Sequence, residues 1–213
     1  MRQYRIRLRN RLRKMYRLNR KKRLKNPNPT IIVNNCIGGI IYSDLNLEFT
    51  SPTIDVLFGH MGNDFFKFLD HLEYYAACDM EQIFPDGCNY PVGQMKREGE
   101  EVNIHFVHDT SFEDAREKWT RRCERMDLDN VYVIFETGDL ITEEHAQYQL
   151  FKKIPFPHKR LLTTGPLVND PEIVDCKIHG DGYVPGTILL YPSRFSWKRH
   201  LDVFDYVSFF NEK

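Results

Sequence analysis

The chain has 213 residues with 30 Lys+Arg and 30 Asp+Glu, a formal charge of zero that hides 13 Lys/Arg and no acid in residues 1–26. Residues 27–213 therefore hold 17 basic and 30 acidic side chains, so a +13 tail precedes a −13 body long enough to bury its own core. No apolar run reaches the roughly 18 residues of a spanning helix, and five cysteines without C-x-x-C spacing exclude a disulfide framework or a zinc ribbon and fit a reducing compartment.

The first predicted element is the tail. At 100° per residue Leu18, Tyr4, Met15, Leu8 and Leu12 share one arc of about 120° with Met1, broken only by Arg11. This pattern predicts a basic amphipathic helix that stops before Asn26-Pro27-Asn28-Pro29, where proline removes donors and favours extended backbone. The leading reading is an interfacial helix on an anionic membrane surface. Tyr4, Leu8, Leu12 and Met15 would sit among acyl chains, with Arg5, Arg9 and Arg13 at phosphates. The acidic body would stand off behind the Pro27–Pro29 linker. Nucleic-acid binding is the weaker reading because no recognition fold accompanies the arginines. An organelle transit peptide and a tail that contacts the acidic body are the other readings. The tail lacks the apolar core and cleavage site of a secretory signal, so the expected location is peripheral, on the cytosolic face.

Residues 27–213 are expected to form a single domain. Thr30–Val33 predicts a buried strand, with Asn34 to Gly39 as the turn after it. Residues 64–77 suit a helix capped by Asn63, and Pro, Gly and Asn make 84–100 a loop. Val102–Val107 predicts a strand. Ser111 then opens a helix that buries Phe112, Ala115 and Trp119. Val131–Phe135 is the clearest strand, followed by a helix from Thr142 to Lys153 and a strand over 160–164. Strands alternating with helices imply an α/β layered domain around a largely parallel or mixed sheet.

In such sheets ligands sit beyond the carboxyl ends of the strands, which selects the turns at Asn34-Asn35-Cys36, His105 to Asp109, Glu136 to Asp139 and Thr163 to Gly165. Cys36 as nucleophile, His108 as base and Asp109 as orienting carboxylate would form a Cys-His system. The competing reading of Cys36 is a small buried apolar side chain. Asn34, Asn35, Gly38, Gly39, Ser51, Thr53, His105, Arg122 and Asp139 are the expected substrate contacts, Ser51 and Thr53 being equally explicable as a local turn. His179 with Asp181, and His200 with Asp202, have spacings too common to indicate metal, and no cofactor is assigned.

The motifs Thr30 to Gly39, Tyr42, Ser51-Pro52-Thr53, Asp64 to Leu69, Tyr90-Pro91-Val92-Gly93, Ile104 to His108, and Ser111 to Ala115 with Trp119, Arg122 and Asp139 together resemble a bacterial family. It is a family of unknown function, numbered nineteen-nineteen and associated with exopolysaccharide biosynthesis. Ile37 and Asp109 depart from its pattern, which has Trp and an aromatic residue there. The resemblance implies a three-layer α/β/α fold and a role in capsule or exopolysaccharide assembly as a transferase; the polar cluster at the strand ends and the lipid-seeking tail add the expectation of a lipid-linked or nucleotide-linked glycan as substrate. The reading from a different class is a non-catalytic scaffold that holds assembly enzymes at the membrane.

Overall fold

The computed structural model describes residues 2–178 and 186–212. Helix α1 (Arg2–Arg23) leads to β1 (Thr30–Val33) and α2 (Ile37–Leu45), then β2 (Leu57–Phe58), α3 (Asn63–Asp70) and α4 (Leu72–Ala77). Strands β3 (Glu81–Ile83), β4 (Val92–Arg97) and β5 (Glu100–His105) follow, then α5 (Phe112–Cys123) and β6 (Val131–Glu136). The chain closes with α6 (Ala146–Lys153), β7 (Lys159–Thr163), β8 (Ile173–Asp175) and α7 (Tyr206–Phe210).

Strands β1-β6-β7-β8 form a parallel sheet, in register Thr30 on Val131 and Val133 on Lys159. Both faces are covered, so its strands are continuous apolar runs, every residue of β1 and β6 being buried. Alternation divides the two faces. Ile31, Val33, Tyr132 and Ile134 pack with α2 and α7, whereas Ile32, Val133, Phe135 and Leu161 pack with α3, α5 and α6. Each such fully buried side chain contributes about 1.5–3 kcal/mol relative to exposure.

Beyond α3 and α5 lies a second, antiparallel sheet in order β2-β5-β4-β3, whose Met95, Val102 and Ile104 join the same core. It overturns the loop expected over 84–100. Proline and glycine do keep residues 84–91 irregular, but β4 pairs with β5 through a tight turn at Glu98 and Gly99, both at positive φ (50° and 89°). Other differences are local. The helix expected over 64–77 breaks at His71, where φ is −136°, and α6 starts at Ala146 rather than Thr142. Gly38 and Gly39 lie in the first turn of α2, not in a loop. A Cβ on Gly38 would stand 2.4 Å from Val33 Cγ2, so glycine lets the helix close on β1.

The tail does not stand off from the body. Its helix docks on α2 and the C-terminal segment, and the face it buries is the cationic one. Arg13, expected at lipid phosphates, is 6% exposed and pairs with Asp44 of α2 and with Asp202. Burial works against its charge, but Asp202 and Asp44 more than offset this and leave its pKa raised. Arg17 reaches Asp44 at 3.1 Å, and Arg20, also buried, donates to the Phe204 carbonyl at 3.1 Å and stacks 3.9 Å over Tyr206. Removing one member of such a group strands the others in low dielectric, so Asp202→Ala should lower stability to urea by about 3–5 kcal/mol. Arg23→Ala, which breaks the half-exposed pair with Asp205, should cost under about 1 kcal/mol. Equal losses would show that the buried network does not hold the helix.

Candidate functional site

Residue Asn34 extends the parallel sheet past its last regular pair. Its Nδ2 donates to the Glu136 carbonyl and its Oδ1 accepts from the Glu136 N–H, both at 2.9 Å, so the side chain copies a strand backbone. Asn35 then turns the chain, donating from Nδ2 to the buried Glu136 carboxylate and accepting from the Ile37 N–H at 3.0 Å. Cys36 follows as the N-cap of α2. On the other side β5 ends at His105, so the chain is free to bend and bring His108 round. His108 Nε2 lies 3.4 Å from Cys36 Sγ. Two residues 72 positions apart are thus in hydrogen-bonding contact, the thiol donating to a bare Nε2 or an Nε2–H donating to sulfur, as the tautomer dictates.

The cysteine is half-buried, and burial first, then the nearby Asp55 carboxylate, push its thiol up to about 11. It is therefore protonated at neutral pH and is no ready-made thiolate. Asp55 has a left-handed φ of 60° and stands so close to α2 that a Cβ on Gly39 would lie 2.8 Å from its Oδ1. Its charge also acts on Arg122, whose pKa burial lowers and Asp55 and Asp109 raise. Arg122 Nη1 donates to the Ile54 carbonyl at 3.1 Å. A cleft of about 350 Å³ opens at Asn34 and Asn35, between the end of β6 and β2. Asn34, Asn35, Leu57, Glu136, Gly138 and Asp139 line part of it.

Other expected contacts are used differently. Asp109 does not orient His108, because its carboxylate is taken by Lys118 Nζ at 2.5 Å. Ser51 and Thr53 are fully buried: Thr53 Oγ1 accepts from the Val33 N–H at 2.9 Å and meets Ser51 Oγ at 3.0 Å, so both fix β1 rather than face the cleft. His105 stays on the antiparallel sheet, edge-on to Tyr90 with Nδ1 4.0 Å from Cys88 Sγ, and burial lowers its pKa against the pull of Asp64. Asp139 closes a turn with Thr137 at the cleft mouth. Sequence reasoning reached the Glu136 turn but missed Asp55 and Leu57 as site groups. The only signal for Asp55 is that aspartate tolerates the left-handed region better than most residues.

Among the described residues no three His, Cys, Asp or Glu side chains converge as a metal site would require. Among the described residues His200 meets no acidic side chain: its Nδ1 is 3.3 Å from the Cys176 carbonyl, while Asp202 is held by Arg13. His179 and Asp181 lie outside the described residues. No helix of the described residues is long and apolar enough to cross a membrane.

Chemically, the arrangement supplies a nucleophilic sulfur, an imidazole able to take its proton, and the N-terminus of a helix. Main-chain N–H groups there lack intrahelical partners and favour developing negative charge, although that of Ile37 is taken by Asn35 Oδ1. Residues 7–211 match the model of a family described as a domain of unknown function, DUF1919. A protein of Haemophilus influenzae, described as uncharacterized, is 31% identical over 190 residues, spanning 89% of this chain and 87% of the relative.

The raised thiol makes a direct prediction. Thiolate is the reactive form, so Cys36 alkylation should accelerate about tenfold per pH unit from pH 7 upward and level off only near pH 11. Peptide-resolved mass spectrometry of an iodoacetamide time course reads this directly. A plateau below about pH 8 would mean that His108 already holds a thiolate.

Proposed function

The chain belongs to the DUF1919 family, and we propose that it is a transferase of capsule or exopolysaccharide assembly. In this reading it works at the cytosolic face of the membrane and moves a substituent onto a lipid-linked or nucleotide-linked glycan. The observation that carries the reading is the 3.4 Å contact between His108 Nε2 and the Sγ of Cys36, one residue after Asn35, which lines a cleft at the carboxyl end of a parallel sheet.

A soft sulfur nucleophile suits an acyl substituent best. Cys36 Sγ bonds to the carbonyl carbon of an activated acyl donor while its proton passes to His108 Nε2. The N–H groups at Gly38 and Gly39 stabilise the oxyanion, as helix termini do, the Ile37 N–H being held by Asn35 Oδ1. The donor's leaving group departs with the proton from His108, which leaves a thioester on Cys36. A glycan hydroxyl then attacks that thioester, giving its proton to His108, and the sulfur recovers a proton as the ester leaves. Because the resting thiol is neutral, His108 acts as a true base during attack and is not a standing ion-pair partner. Asp109 has no part in the sequence, being held by Lys118.

A sugar can replace the acyl group only with an electrophilic anomeric carbon in the same position, and the cleft leaves room for either. The neutral, half-buried thiol also favours one reading of a different class, a scaffold whose Cys36 and His108 simply pack together.

Replacing each residue separately decides between the two. Cys36→Ala and His108→Ala should each reduce the modified glycan at least about 100-fold, and Asp109→Asn should leave it within about twofold. The readout is mass spectrometry of the polysaccharide and its lipid-linked precursors in cells carrying each variant. Unchanged product from both Cys36→Ala and His108→Ala would leave the scaffold reading.

A further inference from the structure

Helix α1 is amphipathic, and it has docked the wrong way round for a soluble protein. Its arginine face is inside: Arg13 and Arg20 are buried and Arg17 leans on Asp44. Its apolar stripe is outside. Tyr4 is 72% exposed, Leu8 45%, Met15 59% and Leu18 54%, with Leu12 half-buried at the margin. An exposed stripe from Tyr4 to Leu18 is about 21 Å long at 1.5 Å per residue. Water penalises such an array, and nothing in the described chain covers it.

The charges around the stripe say what does. Arg7, Arg11, Lys14 and Lys22 lie on the same outer half of the helix, all exposed, and none pairs with an acidic side chain among the described residues. The body has already spent Asp44, Asp202 and Asp205 on the inner arginines. An occupant must therefore accept apolar side chains and carry negative charge close to them, since Arg11 lies within the stripe and Arg7 and Lys14 along its edge. A second copy using the same face would set Arg11, Lys14 and Lys22 against themselves, since a two-fold interface places one patch on itself.

We propose that this outer face of α1 is a docking surface for an anionic lipid bilayer, and that the helix engages lipid while still clamped to the body. The clamp makes the difference from a flexible tether. Arg13 between Asp44 and Asp202 fixes the rotation of the helix, so Tyr4, Leu8, Met15 and Leu18 are presented together and enter the headgroup boundary as one strip. Arg7 and Lys14 along its edge, Lys22 beyond its end and Arg11 within it then extend their cationic heads to lipid phosphates. The inference rests on the membrane placement in the reading above, but not on its chemistry, and its test uses no residue of the Cys36 cleft.

Full-length protein is sedimented with vesicles of phosphatidylglycerol and phosphatidylcholine, and with phosphatidylcholine alone. Binding is expected only to the anionic vesicles. The variant Tyr4→Ser, Leu8→Ser, Met15→Ser, Leu18→Ser should weaken it about tenfold or more, and because all four positions are exposed its urea midpoint should not fall. A Leu8→Trp variant should be quenched by brominated phosphatidylglycerol. The native Trp197, which packs edge-on against Tyr16 on the docked side at 5.2 Å, should not be. Equal binding by the serine variant, or no binding by wild type, overturns the proposal. Quenching of Trp197 overturns the clamped geometry, and a dimer in solution that the serine variant dissolves assigns the face to a second copy instead.

Discussion

The arginine cluster on the inner face of α1 is the constraint on which the rest of the architecture turns. Arg13 lies between two carboxylates from distant parts of the chain, Asp44 at the end of α2 and Asp202 near the C-terminus. Taking three charges out of water costs several kcal/mol each, which their mutual attraction and hydrogen bonds only offset, so the network contributes geometry more than net stability. What it sets is rotation. Turning α1 by one residue moves Arg13 through about 100° and leaves buried Asp44 and Asp202 without their Arg13 pairing, with only Arg199 and Tyr206 from the body still in reach. The opposed charges of tail and body thus meet inside the molecule.

That arrangement explains why the tail was only half legible. The 3.6-residue recurrence of Tyr4, Leu8, Leu12, Met15 and Leu18 identifies a helix and its apolar stripe, and α1 has both. Periodicity does not say which side faces the protein. The usual assumption, apolar inward, fails because the partner surface on α2 and the C-terminal segment offers carboxylates and carbonyls instead. Their identity as partners depends on residues 31 and 189 positions away from Arg13, beyond any local pattern.

The site shows the same division between local and distant information. The parallel strands are uniform apolar runs, and β1 and β6 stand close to where their sequences place them, so the turn at Asn34 to Cys36 was readable as a strand end. The second sheet was not: β4 begins one residue after Pro91 and carries a glycine, and only its pairing with β5 makes it a strand. That pairing ends at His105, and the ending frees His108 to reach Cys36. Asp109 illustrates the limit of adjacency. It follows His108 directly, yet Lys118, one helical segment later, takes its carboxylate at 2.5 Å. Ser51 and Thr53 illustrate another, since hydroxyls suited to a substrate serve equally to satisfy the edge of β1.

Helix α2 joins these two halves. Cys36 caps its N-terminus and Asp44 stands in its last turn, so eight residues, or about 12 Å at 1.5 Å per residue, separate the thiol from the clamp that orients α1. Gly38 and Gly39 press the first turn against Val33 and Asp55, while Arg13 and Arg17 hold the last turn through Asp44. A short helix pinned at both ends moves as one body. The outer apolar strip lies on the far side of α1 from that clamp. The clamp then has a purpose in the transfer reading that a loose tether lacks: it holds the distance from lipid to nucleophile constant.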